Sequence, residues 1–338
     1  MHILTRRAAL LTAAAAGATR PGPARAATTI SVAYIPILAM AQLFIIAGEG
    51  WLKSEGIELQ LTRFSSGPAM VQALVSGGYD VAYIGIGPAM VARGSGLPLK
   101  VVAANGIDGG SLIGRGTFAE IFKAAHSPAE AFASFRQREG RPVRIATLPK
   151  GSVPETVLQY WLTEVAHIPD ADVQVLGVGE DRVQQVLLSG AADAASILEP
   201  ILTIVLERVP SAAILVGGGD LFPNQPGAVL AVSESAIARQ RRAIQSLVNA
   251  HIRATALMIS DPARAARDTG KLLGQGLVPE ATLARAFTSQ ATHPVADPHA
   301  IMEATQRLAD FQVGQGTLAR AVPIAELFDT SFYDLAPK

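Results

Sequence analysis

The chain has 338 residues, 49% of them hydrophobic and 17% charged, and its 28 basic and 28 acidic residues cancel. A neutral chain of this length has material for two cores, and no basic excess marks a nucleic-acid partner. It holds no cysteine, which excludes disulfides, thiolate metal sites, thiol nucleophiles and an acylated lipoprotein anchor.

Residues 1–26 read as an export signal. M-H-I-L-T-R-R is a positive leader, A-A-L-L-T-A-A-A-A-G-A a short apolar run, and Ala24-Arg25-Ala26 a small-x-small cleavage pattern. The run is shorter than the ~20 residues that a membrane span requires. Thr5-Arg6-Arg7 with Leu10 resembles a twin-arginine signal, but Ala9 stands where an aromatic residue is usual, so the general secretory route stays open. The mature chain is expected to be exported and not membrane-anchored.

After the leader, short apolar runs alternate with longer periodic ones. Strands are expected at Ile30–Ile35, Ile57–Phe64, Val81–Ile86 and Leu99–Ala104, with helices at Ala39–Ser54 and Pro68–Ser76. This β-α-β-α-β order argues for a mostly parallel sheet flanked by helices. The glycine-rich stretch from Gly106 to Gly116 breaks the rhythm. A second series follows: strands at Val143–Thr147, Val173–Leu176, Ala194–Leu198 and Ala213–Val216, and helices at Pro154–Val165 and Arg182–Ser189. Gly217-Gly218-Gly219 opens a second break. From Glu234 onward the pattern is mainly helical, interrupted at Asp261-Pro262, Gly274 to Pro279, His293-Pro294 and Asp297-Pro298.

The two series echo each other. Residues 72–84 read Q-A-L-V-S-G-G-Y-D-V-A-Y-I, and residues 185–197 read Q-V-L-L-S-G-A-A-D-A-A-S-I. In each, a glycine (Gly77, Gly190) suits a left-handed helix end and an aspartate (Asp80, Asp193) suits the turn into the next strand. The expected fold class is therefore α/β, with two αβ lobes of mixed, mostly parallel sheets joined by two chain crossings. The first lobe takes residues 28–108 plus 226–338, and the second takes 109–225. Two crossings form a hinge, and the space between the lobes forms a cleft.

The sequence Gly-Pro-Ala-Met occurs twice, at Gly67 and at Gly87, each time after an expected strand. Proline suits the first helical turn, where its missing N–H has no partner to lose, and glycine lets backbones approach closely. Helix starts at the carboxyl edge of a parallel sheet lie where open α/β folds bind ligands. They offer unpaired N–H groups and about half a positive charge, enough to hold an anion without lysine or arginine. A plain helix cap is the competing reading.

A family resemblance rests on these same segments. P-I-L-A-M-A-Q, E-G-W-L-K-S-E-G-I-E-L, S-S-G-P-A-M-V-Q-A-L-V-S-G-G-Y-D-V-A-Y-I-G-I-G-P-A, G-L-P-L-K-V-V-A-A-N, K-G-S-V-P-E and A-D-A-A-S-I-L-E-P resemble the periplasmic solute-binding proteins of nitrate-, sulfonate- and taurine-type ABC importers. The resemblance implies a type II periplasmic-binding fold closing on a small anionic or zwitterionic solute. It implies a membrane permease and its cytoplasmic ATPase as partners, a periplasmic location, a monomer, and no cofactor or metal.

Carried over by position, the resemblance places the ligand site at loop tips. Pro36 and Gln42 follow the first strand; Ser65, Ser66 and Gly67 form the next tip, then Gly87 and Pro88, then Asn105. Lys150, Gly151, Ser152 and Glu199 face them across the cleft. Lys150 either pairs with an anionic head or is an exposed loop lysine. Glu199 either holds a ligand amine or caps the helix implied by Pro200. Tyr34, Tyr83 and Trp51 read as packing residues.

An exported enzyme on the same scaffold is the alternative. Thiamine-pyrimidine synthases and a desulfinase of this fold rely on cysteine, which is absent here. Gly177-Val178-Gly179 lacks the third glycine of a dinucleotide loop, Gly151-Ser152 is not a G-x-S-x-G elbow, and His293 with His299 has no recognised metal spacing. No enzymatic activity is expected.

Overall fold

The computed structural model describes residues 28–273 and 278–337. The expected export signal, and most of the expected break at 274–279, lie outside the described residues. The first lobe begins with β1 (Thr28–Tyr34), α1 (Ala41–Glu49), β2 (Ile57–Arg63), α2 (Gly67–Val75), β3 (Val81–Gly85), α3 (Ile86–Gly94) and β4 (Leu99–Ala104). The chain then forms β5 (Gly106–Ile107), β6 (Ser111–Gly114), α4 (Gly116–Ala124), α5 (Pro128–Glu139), β7 (Val143–Thr147) and α6 (Val153–Tyr160). Next come β8 (Val173–Gly177), α7 (Glu180–Ser189), β9 (Ala194–Ile197), α8 (Ile201–Arg208), β10 (Ala213–Val216) and the single turn α9 (Gly218–Leu221). It returns through β11 (Ala228–Ser233), α10 (Glu234–Ser260), α11 (Pro262–Gly270), α12 (Glu280–Phe287), β12 (His293–Pro294) and α13 (His299–Gly314). Among the described residues no helix is long and apolar enough to cross a membrane.

Two five-stranded sheets result, in the orders β2-β1-β3-β11-β4 and β10-β6-β9-β7-β8. Both are mixed. β1 pairs in parallel with β2 and β3, whereas β11 runs antiparallel between β3 and β4. In the second sheet β7 is parallel to β8 and β9, and β6 is antiparallel to β9 and β10. The antiparallel members are the strands the sequence hides. Val229 to Val232 of β11 are fully buried, so they show no polar alternation, and β6 sits inside the glycine-rich break. Helices α4 and α5 are not among the elements expected from sequence; Ser127-Pro128 begins α5, and the Ser127 hydroxyl accepts the Glu130 N–H at 3.2 Å. The helix expected over Ala39–Ser54 is divided at Gly50, whose φ of +68° ends α1 in the left-handed region. Beyond it Arg253 stacks over the Trp51 ring at 3.9 Å.

The echo between the lobes is structural. Gly77 and Gly190 both take positive φ, +84° and +79°. Asp80 accepts the Ser31 N–H at 3.0 Å, and Asp193 accepts the Arg144 N–H at 2.9 Å, each across 49 residues of sequence. The reciprocal bonds, Asp80 N–H to Ser31 O and Asp193 N–H to Arg144 O, are also present. Each aspartate thus fixes the register between the first strand of its lobe's parallel pair and the strand that follows the turn, and each holds an arginine, Arg239 or Arg141.

The crossings between the sheets run side by side. Ile107 bridges Pro226, Asp108 N–H donates to Gln225 O at 3.0 Å, and Gln225 N–H donates to Asp108 Oδ1 at 2.7 Å. The buried Gln225 amide accepts the Gly110 N–H at 2.7 Å and donates to Gly218 O at 3.2 Å, clasping the two segments. Gly218 has no room for a side chain, because a Cβ there would overlap the Asp108 backbone. The lobes also touch beyond these crossings: Val153 and Val157 of α6 belong to the apolar cluster around the first sheet, and Leu38 N–H donates to Glu199 O at 3.2 Å. Burying a valine contributes about 1.5 kcal/mol, so these contacts favour the lobes lying together.

Candidate functional site

Three helices start on one cavity between the lobes. Gly67 opens α2, Gly85 precedes α3, and Ser152 precedes α6; all three line it, together with Pro88, Val153, Pro154 and the apolar side chains of Ile35, Ile37, Met40, Leu148 and Leu198. The first two come from one lobe and the third from the other. Each start follows a strand, or the loop beyond one, at the edge facing the second lobe, as the strand–helix order dictates.

The local sequences explain the geometry. Ser66 is extended and its hydroxyl accepts the Ala69 N–H at 3.3 Å, capping α2. A Cβ at Gly67 would overlap the Pro88 ring; the two Gly-Pro corners interlock. A Cβ at Gly85 would lie 3.0 Å from Val153 Cγ2, and one at Gly87 would lie 3.4 Å from Gly151 O. The glycines therefore let the opposing lobe dock closely. Pro68 and Pro154 are each the second residue of their helix, and Pro88 is the third. All lie in the first turn, where no intrahelical N–H is lost.

Ser152 differs from Ser66. It is 3% exposed, its hydroxyl makes no cap bond to its own helix, and its Oγ has no partner. The Gly151 N–H is instead taken by Glu155 Oε2 at 3.0 Å. A free hydroxyl thus stands at the start of α6 on the cavity wall. Among the described residues that line this cavity, none is lysine or arginine.

A second cavity adjoins the first and shares Ala39, Leu198, Gly227 and Ala228 with it. Both are small and partly open to solvent. The second is lined by Leu38, Ile107, Met258, Thr292, His293, Asn105 and Glu199, among others. The Asn105 amide nitrogen donates to Ala39 O at 2.8 Å, and Gln42 Nε2 donates to Asn105 O at 2.7 Å. Glu199 is 3% exposed, and both carboxylate oxygens are engaged by Thr203, from its N–H at 3.0 Å and its hydroxyl at 2.9 Å. Burial pushes this carboxyl above its ordinary value, against the hydrogen bonds from Ser289 and Thr203. Glu199 therefore caps the start of α8, the simpler of its two readings, while remaining on the cavity wall.

Of the residues singled out from sequence, Gly67, Pro88, Ser152, Asn105 and Glu199 line the two cavities. Pro36 is buried in the turn between Ile35 and Ile37, and Gln42 is fully buried behind Asn105. Ser66 caps α2; Gly87 and Gly151 meet across the lobes. Ser65 and Lys150 are exposed and line neither cavity; Lys150 borders a separate depression beside Glu155 and Phe311. The walls that sequence reasoning passed over are main-chain or apolar: Ala39, Leu198, and Gly227-Ala228 at the start of β11. Their only signal is the Pro226-Gly227 step before an apolar run.

The NMT1-like family model matches residues 24–274. A Brucella abortus (strain 2308) protein provisionally named as a binding protein is 27% identical over 247 residues, 72% of this chain and 71% of its own length. The alkanesulfonate-binding protein SsuA of Xanthomonas axonopodis pv. citri, solved bound to MOPS, superposes with a TM-score of 0.70 at 19% identity, covering 90% of this chain and 99% of that one. The periplasmic nitrate-binding protein NrtA of Synechocystis PCC 6803 gives 0.75 at 16% identity, covering 91% and 87%. At these identities the solved structures establish a shared fold of two αβ lobes.

Proposed function

The chain belongs to the NMT1-like family, and on that premise we propose that it is the exported substrate-binding component of an ABC importer. It takes a small anionic or zwitterionic solute between its lobes, closes over it, and delivers it to a membrane permease driven by a cytoplasmic ATPase. The moving units are residues 28–108 with 226–338, and residues 109–225. The observation that carries this reading is the convergence of three helix starts, from both lobes, on one cavity beside an unpartnered serine hydroxyl. First-turn amides and the helix dipoles favour a negative group. Because donors from both lobes reach it only when they are together, the anion binds the closed form better and shifts the balance toward it.

Binding needs no bond-making step. The competing class, an exported enzyme on this scaffold, would have to act without a thiol, since the chain has no cysteine. Mass spectrometry of the solute after incubation separates the two: recovery unchanged supports transport, and conversion would overturn it.

The test is calorimetric titration with nitrate, methanesulfonate and a neutral aminopyrimidine. The anions are expected to bind and the neutral compound not to; the reverse order would contradict the reading. Ser152→Ala is expected to weaken methanesulfonate binding by about tenfold or more, the value of one hydrogen bond to a charged group. An unchanged affinity would remove Ser152 from the site.

A further inference from the structure

The seam between the lobes holds a polar group that solute binding does not use. Gln312 lies near the end of α13, a helix that packs against both α3 of the first lobe and α6 of the second. It is fully buried, and neither its Oε1 nor its Nε2 has a partner. Among the described residues it is the one side chain that leaves two buried polar atoms unpaired. Its main chain is fixed, the carbonyl accepting the Thr317 N–H at 3.0 Å and the Leu318 N–H at 3.1 Å. An enclosed amide without partners is unfavourable.

The position of this amide couples it to the relation of the lobes. A Cβ built on Gly87, in the first turn of α3, would lie 3.2 Å from Gln312 Nε2 and 3.4 Å from Gly151 O. The amide therefore sits where α3, α13 and the loop before α6 meet, and that loop comes from the second lobe. Gln312 lines neither cavity. Moving the second lobe away opens this corner to water, which pairs with both amide atoms. Other contacts of α13 across the seam act in the opposite sense. Phe311 meets the Tyr160 ring edge-on at 5.3 Å, and Arg307 donates to Pro223 O at 2.9 Å.

We infer that Gln312 biases the empty protein toward its open form, its amide being left unpaired when the lobes lie together and hydrated when they part. It is a positioning residue, acting on closure and never on the solute. The inference rests on the lobe closure proposed above and adds what keeps the empty and loaded forms apart. Solute binding has to outweigh the unpaired amide, so the empty protein seldom presents its closed surface to a partner. The apparent affinity is the intrinsic one reduced by the closed fraction, and removing the amide raises that fraction.

Gln312→Met keeps the length of the side chain and removes both polar atoms. In calorimetric titration of the intact mature protein it is expected to bind methanesulfonate about tenfold tighter than wild type does. Small-angle scattering is expected to give the empty variant a smaller radius of gyration than empty wild type, while the two solute-saturated proteins coincide. An amide with a purely structural role behaves otherwise: its removal changes stability in urea but neither affinity nor the empty radius. Unchanged affinity in a variant that binds methanesulfonate, or an unchanged radius of the empty protein, would overturn the inference. Gln312→Leu carries the same measurements if Gln312→Met does not fold. Failure of both to fold would also overturn it, by showing that the fold needs the amide. The scattering of the empty proteins uses no solute, so it decides the inference even if methanesulfonate and nitrate fail to bind wild type, a result that would sink the anion reading alone.

Discussion

Replacing Gly67 with alanine is expected to lower stability by about 2 kcal/mol and to weaken sulfonate binding by about tenfold or more. The added methyl would overlap the Pro88 ring, and that ring cannot swing aside as a flexible chain end would. The starts of α2 and α3 must therefore move apart, which both strains the first lobe and spreads the amides that converge on the cavity. Overpacking of this kind costs about 1–3 kcal/mol. Gly314→Ala is the control: it lies exposed near the end of α13 with nothing near its would-be Cβ, and is expected to be neutral or slightly stabilising, by up to about 1 kcal/mol. Urea unfolding and calorimetry on both variants check this. Wild-type stability and affinity in Gly67→Ala would show that the two corners do not need to touch.

The second large effect is an acid-dependent loss of stability that traces to His251. This residue is fully buried in α10; its Nε2 lies 2.7 Å from Ala104 O, and its Nδ1 lies 3.2 Å from the Tyr83 hydroxyl. A carbonyl only accepts, so Nε2 carries the proton and Nδ1 accepts from Tyr83. Burial lowers the imidazole to about 4, against the opposing pull of the Ala104 carbonyl. With an unfolded value near 6.5, the fold binds fewer protons than the unfolded chain between those limits. Its contribution is present above about pH 6.5 and is lost as pH falls toward 4, in total on the order of 3 kcal/mol. Titrating carboxylates add their own slope, so the measurement is the difference between wild type and His251→Leu in urea unfolding at pH 7 and pH 4.5. The variant is expected to be less stable at pH 7, with Tyr83 and Ala104 left unpaired, and to show a shallower fall on acidification. Parallel slopes would contradict a neutral, buried His251. The consequence reaches the site, because Ala104 is the residue before Asn105, and the imidazole anchors the end of β4 that presents it.

What the sequence discloses is local. Ser-Ser-Gly-Pro is a cap followed by a first-turn proline, and it folds as one because no distant contact is needed to decide it. The glycine and aspartate of the internal echo are equally local, and they recur with the same backbone partners in both lobes. β11 was not legible for a physical reason: a central strand buried on both faces loses the alternation that marks a strand, and its place between β3 and β4 is set by the return crossing. The same limit governs the site. Lys150 follows a strand, as a ligand-facing residue should, yet it turns outward, onto a depression lined by α6 and α13. Glu199 has the right neighbours for a ligand group, but a threonine four residues on takes both of its oxygens. Asn105 was placed at a loop tip from sequence; that its oxygen rather than its nitrogen is left over follows only from Ala39, 66 residues away.

The central claim is that main-chain amides at three helix starts, aided by one serine hydroxyl, hold an anion without any cationic side chain. Amide proton shifts during titration with propane-1-sulfonate read this directly, in TROSY spectra of the deuterated mature protein. The account predicts that the largest downfield shifts fall on the first-turn amides of α2, α3 and α6, at Gly67, Gly87 and Val153, saturating together at one affinity. Shifts centred instead on Lys150 and its surface depression, with those three amides unmoved, would contradict it.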